Sequence, residues 1–424
     1  MGAQNVVQKI LALAAGKEEA STGEYLIIRS RRPVTLGGDW MGRGPDQMME
    51  TGARKVFDPR LVRIVVGHCG AGGPSTIGES RRKFRRWAEA VGVPRENILD
   101  LGEQGVEHVV AGERCWPLPG EAYLSVADGH TSTLGALGGF TVTLSYESGA
   151  YLVKGFTWVQ VPEVARITLS GVAPEGVFAR DVYEYVLGQV GPTGTPGQVI
   201  LWDGDYVRGL SQDSRFTLCS NALFSSAWTA VIEPDQTTID YVRSRTSEPF
   251  TPLRGDPDAE YAQHRVFDVC GLAPQVVPPP ERHLVDPVSQ HEGTKITRGH
   301  IGGCTNGRIE DMRIAARILK GRRVHPDVIL NITPATVAVY RQCLAEGILE
   351  TFIDAGVFVP APSCGQCSGG ANTPLGSDDV CVSSGTCNYP GRMGSYTSQI
   401  YLASPATIAA SSVAGTITDP RNFL

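Results

Sequence analysis

Between His300 and Pro360 short apolar runs alternate with amphipathic ones, and this alternation restricts the fold more than any other feature of the sequence. "HIGGCTNGRIEDMRIAARILKGRRV" passes from a strand through a Gly-Gly-Cys-Thr-Asn-Gly turn into a predicted helix. Thr305 or Asn306 is placed to cap it, Glu310 and Asp311 occupy its first turn, and Lys320-Gly321 ends it. Ile309, Met312, Ala316 and Leu319 form its predicted buried stripe. "DVILNITP" predicts a strand, Thr333-Pro334 opens a second helix through "ATVAVYRQCLAEG", and the strand "GVFVPAP" delivers the chain to Cys364. This β-α-β-α-β order predicts a parallel sheet with helices on both faces. Ligands of such sheets gather outside the carboxyl ends of the strands. Cys304 and the Cys364/Cys367 pair each follow a predicted strand, so one rim is expected to carry all three, although 60 positions separate Cys304 from Cys364.

Upstream, "YLSVADGHTSTLGALGG" predicts a strand, a polar turn and a helix of small residues. "VARITLSGVAP" and "GQVILWDGD" predict strands flanking the helix "FARDVYEYVLGQVG". Residues 270–293 hold five prolines without periodicity and predict an extended crossing between domains. At 424 residues the chain exceeds one core and predicts about two to four α/β units.

A net charge of −6 argues against an extended nucleic-acid surface, which needs clustered Lys and Arg. The short runs at 29–32 and 320–323 are expected to be solvated element ends. "MGAQNVVQKI" has no apolar leader, and Val6 stands where a myristoylation signal requires Ser or Thr. No stretch approaches the roughly 20 apolar residues that span a bilayer. The expectation is a cytoplasmic protein with neither nucleic acid nor membrane as partner. Ten cysteines without an export signal are then expected to be thiols. Cys219, Cys270 and Cys343 lie in apolar runs and are expected in the core. Cys304, Cys364, Cys367, Cys381 and Cys387 sit among Gly, Ser and Asn instead.

Four roles compete for these sulfurs. A redox couple of Cys364 and Cys367 requires a helix N-terminus beneath the first thiol, and "SGGANTPLG" is a poor helix. Zinc on Cys364, Cys367, Cys381 and Cys387 would use a second pair spaced by five residues, outside the usual range. A glycine turn with incidental cysteines is the third. An iron–sulfur cluster on Cys304, Cys364 and Cys367 is the fourth, and it leaves one iron open as a Lewis acid for a substrate hydroxyl.

"GGCTNGRIEDMRIAARILKGRRV", "CGQC" with the glycines after it, and "NYPGRMGS" resemble the aconitase/3-isopropylmalate dehydratase family, large-subunit type. "DGHTSTLGALGG" resembles the family's Asp-Ser-His-Thr segment, "GVEHVV" its Gly-Ile-x-His-Gln segment, and "VPEVARITLSGVAPEGVFARDV" is similar too, so the likeness is collinear over most of the chain. It implies three α/β/α domains with mainly parallel sheets around a central iron–sulfur site, at 1–165, 166–290 with the Pro-rich linker, and 291–424. It also implies a [4Fe–4S] cluster on Cys304, Cys364 and Cys367, and dehydration–hydration of a hydroxy carboxylic acid, with isomerisation through the alkene as an extension. The family's serine base lies on a swivelling domain. This chain ends at "ITDPRNFL", so a separate small subunit is expected to bring it. Residue by residue, the resemblance makes Asp128, His130, His108 and His68 the catalytic candidates. Arg392, Thr131, Asn306 and Arg308 become the substrate-binding ones, Asn306 and Arg308 on the cluster side. His264, His283, His291 and His325 are expected to be structural.

Departures from the family pattern limit the substrate. In "TCNYPGR", Cys387 stands where an arginine clamps a carboxylate, and Thr386 replaces an asparagine. Such a clamp contributes about 1.5–3 kcal/mol per charged hydrogen bond. Ser225 of "SNALFSSAW" replaces a glutamate that orients histidines, Gly67 replaces the aspartate of an Asp-His pair, and Gly129 replaces a serine. Histidines without carboxylate partners would lose tautomer control and basicity. Isopropylmalate and citrate are therefore not the expected substrates, and a smaller or less charged hydroxy acid is. The alternative is a non-catalytic iron–sulfur partner or regulatory protein whose cluster Cys387 closes at the fourth iron.

Overall fold

The computed structural model describes all residues except Met1, Ser30, 38–42, 70–74 and 368–371, so the glycines following the Cys364-x-x-Cys367 motif lie outside the described residues. Mainly parallel sheets carry the architecture, as the sequence predicts. In the first, Val34–Gly37, Val62–Val65 and Ile98–Leu99 pair in parallel. The parallel bridge Leu36–Val126 continues this sheet into Ala122–Ser125 and Phe140–Thr143. The middle sheet is ordered Thr229–Ile232, Val199–Asp203, Val164–Ser170 and Gln263–Asp268, all parallel. The last is ordered Asp286–Pro287, Gln275–Val277, Gln399–Ala403, Val380–Ser383, Arg298–Ile301 and Ile329–Ile332, antiparallel only at its first two joints.

Three main cores serve the sheets, the first of them shared with one face of the middle sheet through Val164, Val199, Leu201 and Val231. Leu36, Ile64 and Leu124 pack with Phe84 and Trp87 of the helix Ser75–Ala90. Leu169, Ile200 and Trp202 pack with Val182 and Leu187 of Ala179–Val190. Ile301, Leu330 and Ile332 pack with Met312, Phe352 and Ile408 from three helices. Among the described residues no helix is long and apolar enough to cross a membrane.

Several local expectations shift. Cys304 lies in a separate short helix, Gly303–Asn306, and the predicted helix starts only at Ile309, with Arg308 at the cap position. Gly307 separates the two because a side chain there would meet Gly303 O at 2.6 Å and Ala335 Cβ at 2.8 Å. Asp311, not Thr305 or Asn306, caps the helix, accepting from Arg308 N at 3.0 Å. Its fully buried apolar residues are Met312, Ala315, Ile318 and Leu319, while the predicted Ile309 and Ala316 are only partly buried against the same core. The second helix begins at Val337, capped by Thr336, and breaks at Gly347 into a further helix, Ile348–Ala355. "GVFVPAP" contributes a single parallel bridge, Asn331–Phe358, instead of a full strand. The proline-rich crossing supplies the first two strands of the last sheet, the edge strand Asp286–Pro287 and its neighbour Gln275–Val277. The small-residue helix after Asp128 is a 3-10 helix, Gly129–Leu137. Cys270 is exposed, whereas Cys219 and Cys343 are in the core as expected.

Candidate active site and thiol pocket

The chemistry-bearing residues follow the carboxyl ends of parallel strands in two different sheets. In the first sheet, His68 follows Val62–Val65, Glu107 and His108 open the helix after Ile98–Leu99, and Asp128 and His130 follow Ala122–Ser125. In the last, Cys304 follows Arg298–Ile301, Cys364 and Cys367 follow the bridge at Phe358, and Thr386 and Cys387 follow Val380–Ser383. The two rims are joined where Cys364 N donates to His68 O at 2.8 Å and Val106 N to Ala335 O at 2.9 Å.

Cys304, Cys364 and Cys367 are buried together in a small pocket with Val106, Val109 and Ala335, and none forms a disulfide. Cys367 Sγ accepts from Thr386 N and Arg392 Nη2, each at 3.4 Å, and lies 3.5 Å from Thr386 Oγ1. The Cys364 thiol donates to it as well, and this bond, against burial and with the Arg392 charge, holds Cys367 well below the ordinary thiol range. Burial pushes the Cys304 thiol up to about 12, with Ser220 Oγ 3.7 Å away. Cys381 packs in a different apolar cluster with Leu375, Met393 and Ile400, which removes it from a four-thiol zinc set. Cys387 is half-buried, its Sγ 3.6 Å from Thr386 Oγ1.

The histidines are edge-on neighbours, with ring centres 6.1 Å apart for His68 and His108 and 6.3 Å for His108 and His130. The imidazoles do not lack carboxylates, which corrects the expectation drawn from Ser225 and Gly67. Glu107 hydrogen-bonds His68 Nδ1 and places its other oxygen 3.6 Å from His108 Nε2. Asp128 Oδ1 accepts from His108 Nε2 at 2.9 Å and from His130 N at 2.8 Å. Burial opposes charge on His108, but Asp128 and Glu107 outweigh it and raise its pKa. Burial likewise raises Glu107 and Asp128, yet the histidine charges hold Glu107 below its ordinary value and Asp128 well below. His130 goes the other way, lowered by burial. Its Nδ1 donates to Ser220 O at 2.8 Å, so Nε2 carries the lone pair. Two adjacent imidazoles thus favour opposite protonation states, the pattern that separates an acid from a base. Ser225 is engaged elsewhere, with Thr195 Oγ1 at 2.7 Å and Ala222 O at 3.0 Å.

The remaining candidates divide in two. Arg392 reaches Cys367 with Nη2, while its buried Nε has no partner among the described residues. Thr131 donates to Asp128 O at 2.9 Å and accepts from Thr143 Oγ1 at 2.7 Å, bracing the Asp128 turn. Asn306 is held by Asp311 at 2.9 Å and Arg180 at 3.3 Å, and Arg308 Nη1 donates to Cys304 O at 2.5 Å, so both brace the Cys304 turn. His264 and His291 bond to Thr168 and Asp286 and lie outside this cluster. Sequence reasoning missed Glu107, although it stands beside His108 at a helix start. It also missed His300, whose ring joins both thiol loops: Nδ1 donates to Ser383 Oγ at 2.9 Å and Nε2 accepts from Gln366 N at 3.2 Å.

The aconitase family (aconitate hydratase) model matches residues 77–295 and 285–415. A 3-isopropylmalate dehydratase large subunit of Methanopyrus kandleri is 38% identical over 99% of this chain and 100% of its own length. A probable methanogen homoaconitase large subunit of Methanothermobacter thermautotrophicus is 36% identical over 98% of this chain and 97% of its own. Among solved structures, aconitase X of Thermococcus kodakaraensis in its holo form shares the fold at a TM-score of 0.51 and 14% identity, covering 90% of this chain and 89% of that one. With the thiol rim joined to the histidine rim, and with such relatives aligned from end to end, the chain belongs to the aconitase family of hydro-lyases and is of the large-subunit type.

Proposed function

We propose that this chain is the cluster-bearing large subunit of a hydro-lyase for a small hydroxy carboxylic acid other than isopropylmalate or citrate, completed by a separate small subunit that carries the serine base. The observation that carries this reading is the opposed histidine pair beside three buried thiols. The site suits a [4Fe–4S] cluster: it offers three thiols, with an N–H and a guanidinium aimed at Cys367, and next to Ser220, which touches Cys304, the buried amide of Asn221 has no partner among the described residues. When bound, such a cluster supplies a Lewis-acidic iron for a hydroxyl.

The chain's own residues handle position and protons. His108, its pKa raised by Asp128 and Glu107, donates a proton to the departing hydroxyl, and His130, its pKa lowered by burial, is the acceptor at Nε2. Arg392 takes one substrate carboxylate with its free Nε. Cys387 offers no second clamp, and its neighbour Arg282 is already committed to Glu184 and Thr386 O. A singly clamped acid is therefore favoured over a doubly clamped one. Arg392→Gln is expected to raise KM about 10- to 100-fold, the loss of one charge-assisted contact, with a smaller change in kcat, measured by steady-state kinetics.

Anaerobic reconstitution with iron and sulfide, followed by EPR before and after mild oxidation with candidate hydroxy acids, tests the reading. A [3Fe–4S] signal on oxidation, and a reduced signal perturbed by one acid, are expected; a cluster that never loses iron and ignores every acid would sink it. That second outcome belongs to a different reading, which one contact favours: Thr386 Oγ1 touches both Cys367 and Cys387, at 3.5 and 3.6 Å. If Cys387 closes the fourth iron, the protein is a non-catalytic partner, and Mössbauer spectra would show four thiolate-ligated irons.

A further inference from the structure

The peptide between Gly385 and Thr386 spans a charge and a sulfur. Its N–H donates to Cys367 Sγ at 3.4 Å, and its carbonyl, Gly385 O, accepts from Arg180 Nη2 at 2.8 Å. The N–H and C=O of a trans peptide point in opposite directions, so the guanidinium and the sulfur sit at the two ends of one amide dipole. The flanking carbonyls are gripped as well, Ser384 O by Arg180 Nη1 at 3.0 Å and Thr386 O by Arg282 Nε at 2.8 Å. Glu184, wholly buried, pairs with Arg180 Nε at 2.5 Å and with both terminal nitrogens of Arg282, which fixes the two guanidiniums without cancelling their charge. Arg180 comes from the helix Ala179–Val190 and Arg282 from the proline-rich crossing, so neither belongs to a loop that carries Cys304, Cys364 or Cys367.

We propose that Arg180 is a positioning residue that sets the reduction potential of the cluster on Cys304, Cys364 and Cys367, acting through the Gly385–Thr386 peptide. The inference rests on the cluster reading above. A cation at the carbonyl polarises the amide and strengthens its N–H···S bond. Hydrogen bonds to ligand sulfurs favour the more negative, reduced cluster and so raise its potential. Lysine cannot replace this geometry, because one ammonium does not present the planar fork that holds two successive carbonyls.

The test is an EPR-monitored redox titration of the reconstituted full chain in the wild type, in Arg180→Lys, and in Arg180→Met/Glu184→Gln, which removes the buried pair together. Hydrogen exchange of the segment containing the Thr386 amide accompanies it. Full cluster content, a more negative midpoint potential in both variants and roughly tenfold faster exchange at Thr386 are expected, the last corresponding to loss of one hydrogen bond. An unchanged potential in a variant with a full cluster overturns the proposal. Should neither variant fold, Arg282→Lys, which loosens the same clamp at its Thr386 end, carries the comparison by the same criterion. A wild-type chain that assembles no cluster removes the cluster reading itself, and exchange at Thr386 alone then decides whether Arg180 fixes this peptide.

Discussion

Glu107→Gln is expected to lower kcat by a factor of about 10² to 10⁴ while leaving the cluster's EPR signal in place, since general acid–base steps contribute on that scale. The carboxylate serves two imidazoles at once, bonding His68 Nδ1 and standing 3.6 Å from His108 Nε2. Gln is nearly the same size, so packing survives, but the negative charge that helps hold His108 protonated is gone. Burial then acts on His108 with only Asp128 to oppose it, and the pKa of His108 falls. The alkaline arm of the kcat profile, set by loss of the His108 proton, should move to lower pH together with the loss of rate. Asp128→Asn is expected to act in the same direction, because Asp128 is the other charge on His108. Kinetics across pH, paired with spectroscopy of the loaded protein, checks this; a kcat within threefold of the wild type in Glu107→Gln would refute the assignment of His108 as donor.

His300 gives the second large effect, on stability. Burial depresses its pKa to about 4, and the ring is fully enclosed between Ser383 and Gln366. The unfolded chain takes up this proton near pH 6.5 and the folded chain only near 4. Between those values the unfolded state binds more protons, so stability is complete above about 6.5 and declines as pH falls, reaching a loss of about 3 kcal/mol near 4. His300→Gln keeps a donor and an acceptor but does not titrate. At pH 7 the variant should be less stable by about 1–3 kcal/mol through imperfect hydrogen bonding, and that gap should shrink or reverse by pH 4.5. Urea midpoints of both proteins at three pH values measure it. A gap independent of pH would show that His300 does not carry this penalty.

The thiol pocket was legible because its chemistry repeats in short, glycine-rich stretches: a cysteine after one strand and two more after the next pairing partner of the same sheet. The parallel sheets were legible from apolar runs of strand length separated by amphipathic ones. Partners set by tertiary contact were not. Arg180 reads in sequence as an ordinary polar position on a helix, yet it is 1% exposed and spends its hydrogen bonds on loop carbonyls about 200 positions away. Ser225 suggested a lost carboxylate, but the carboxylate enters from Glu107 on another sheet, a substitution in space that position-by-position reading cannot see. The start of the helix after Cys304 was missed because Gly307 is required by its closeness to Ala335, a residue of a separate loop.

The hydrogen bond from Cys364 N to His68 O joins segments 296 positions apart, and the bridge from Gly105 to Thr336 joins segments 231 apart. Contacts of such separation close late in folding. The histidine rim and the thiol rim are brought side by side only when the first and last sheets have docked. The joint between the rims therefore reports on the assembly of both sheets: a molecule in which either has failed to form can hold its own rim, but not the two side by side.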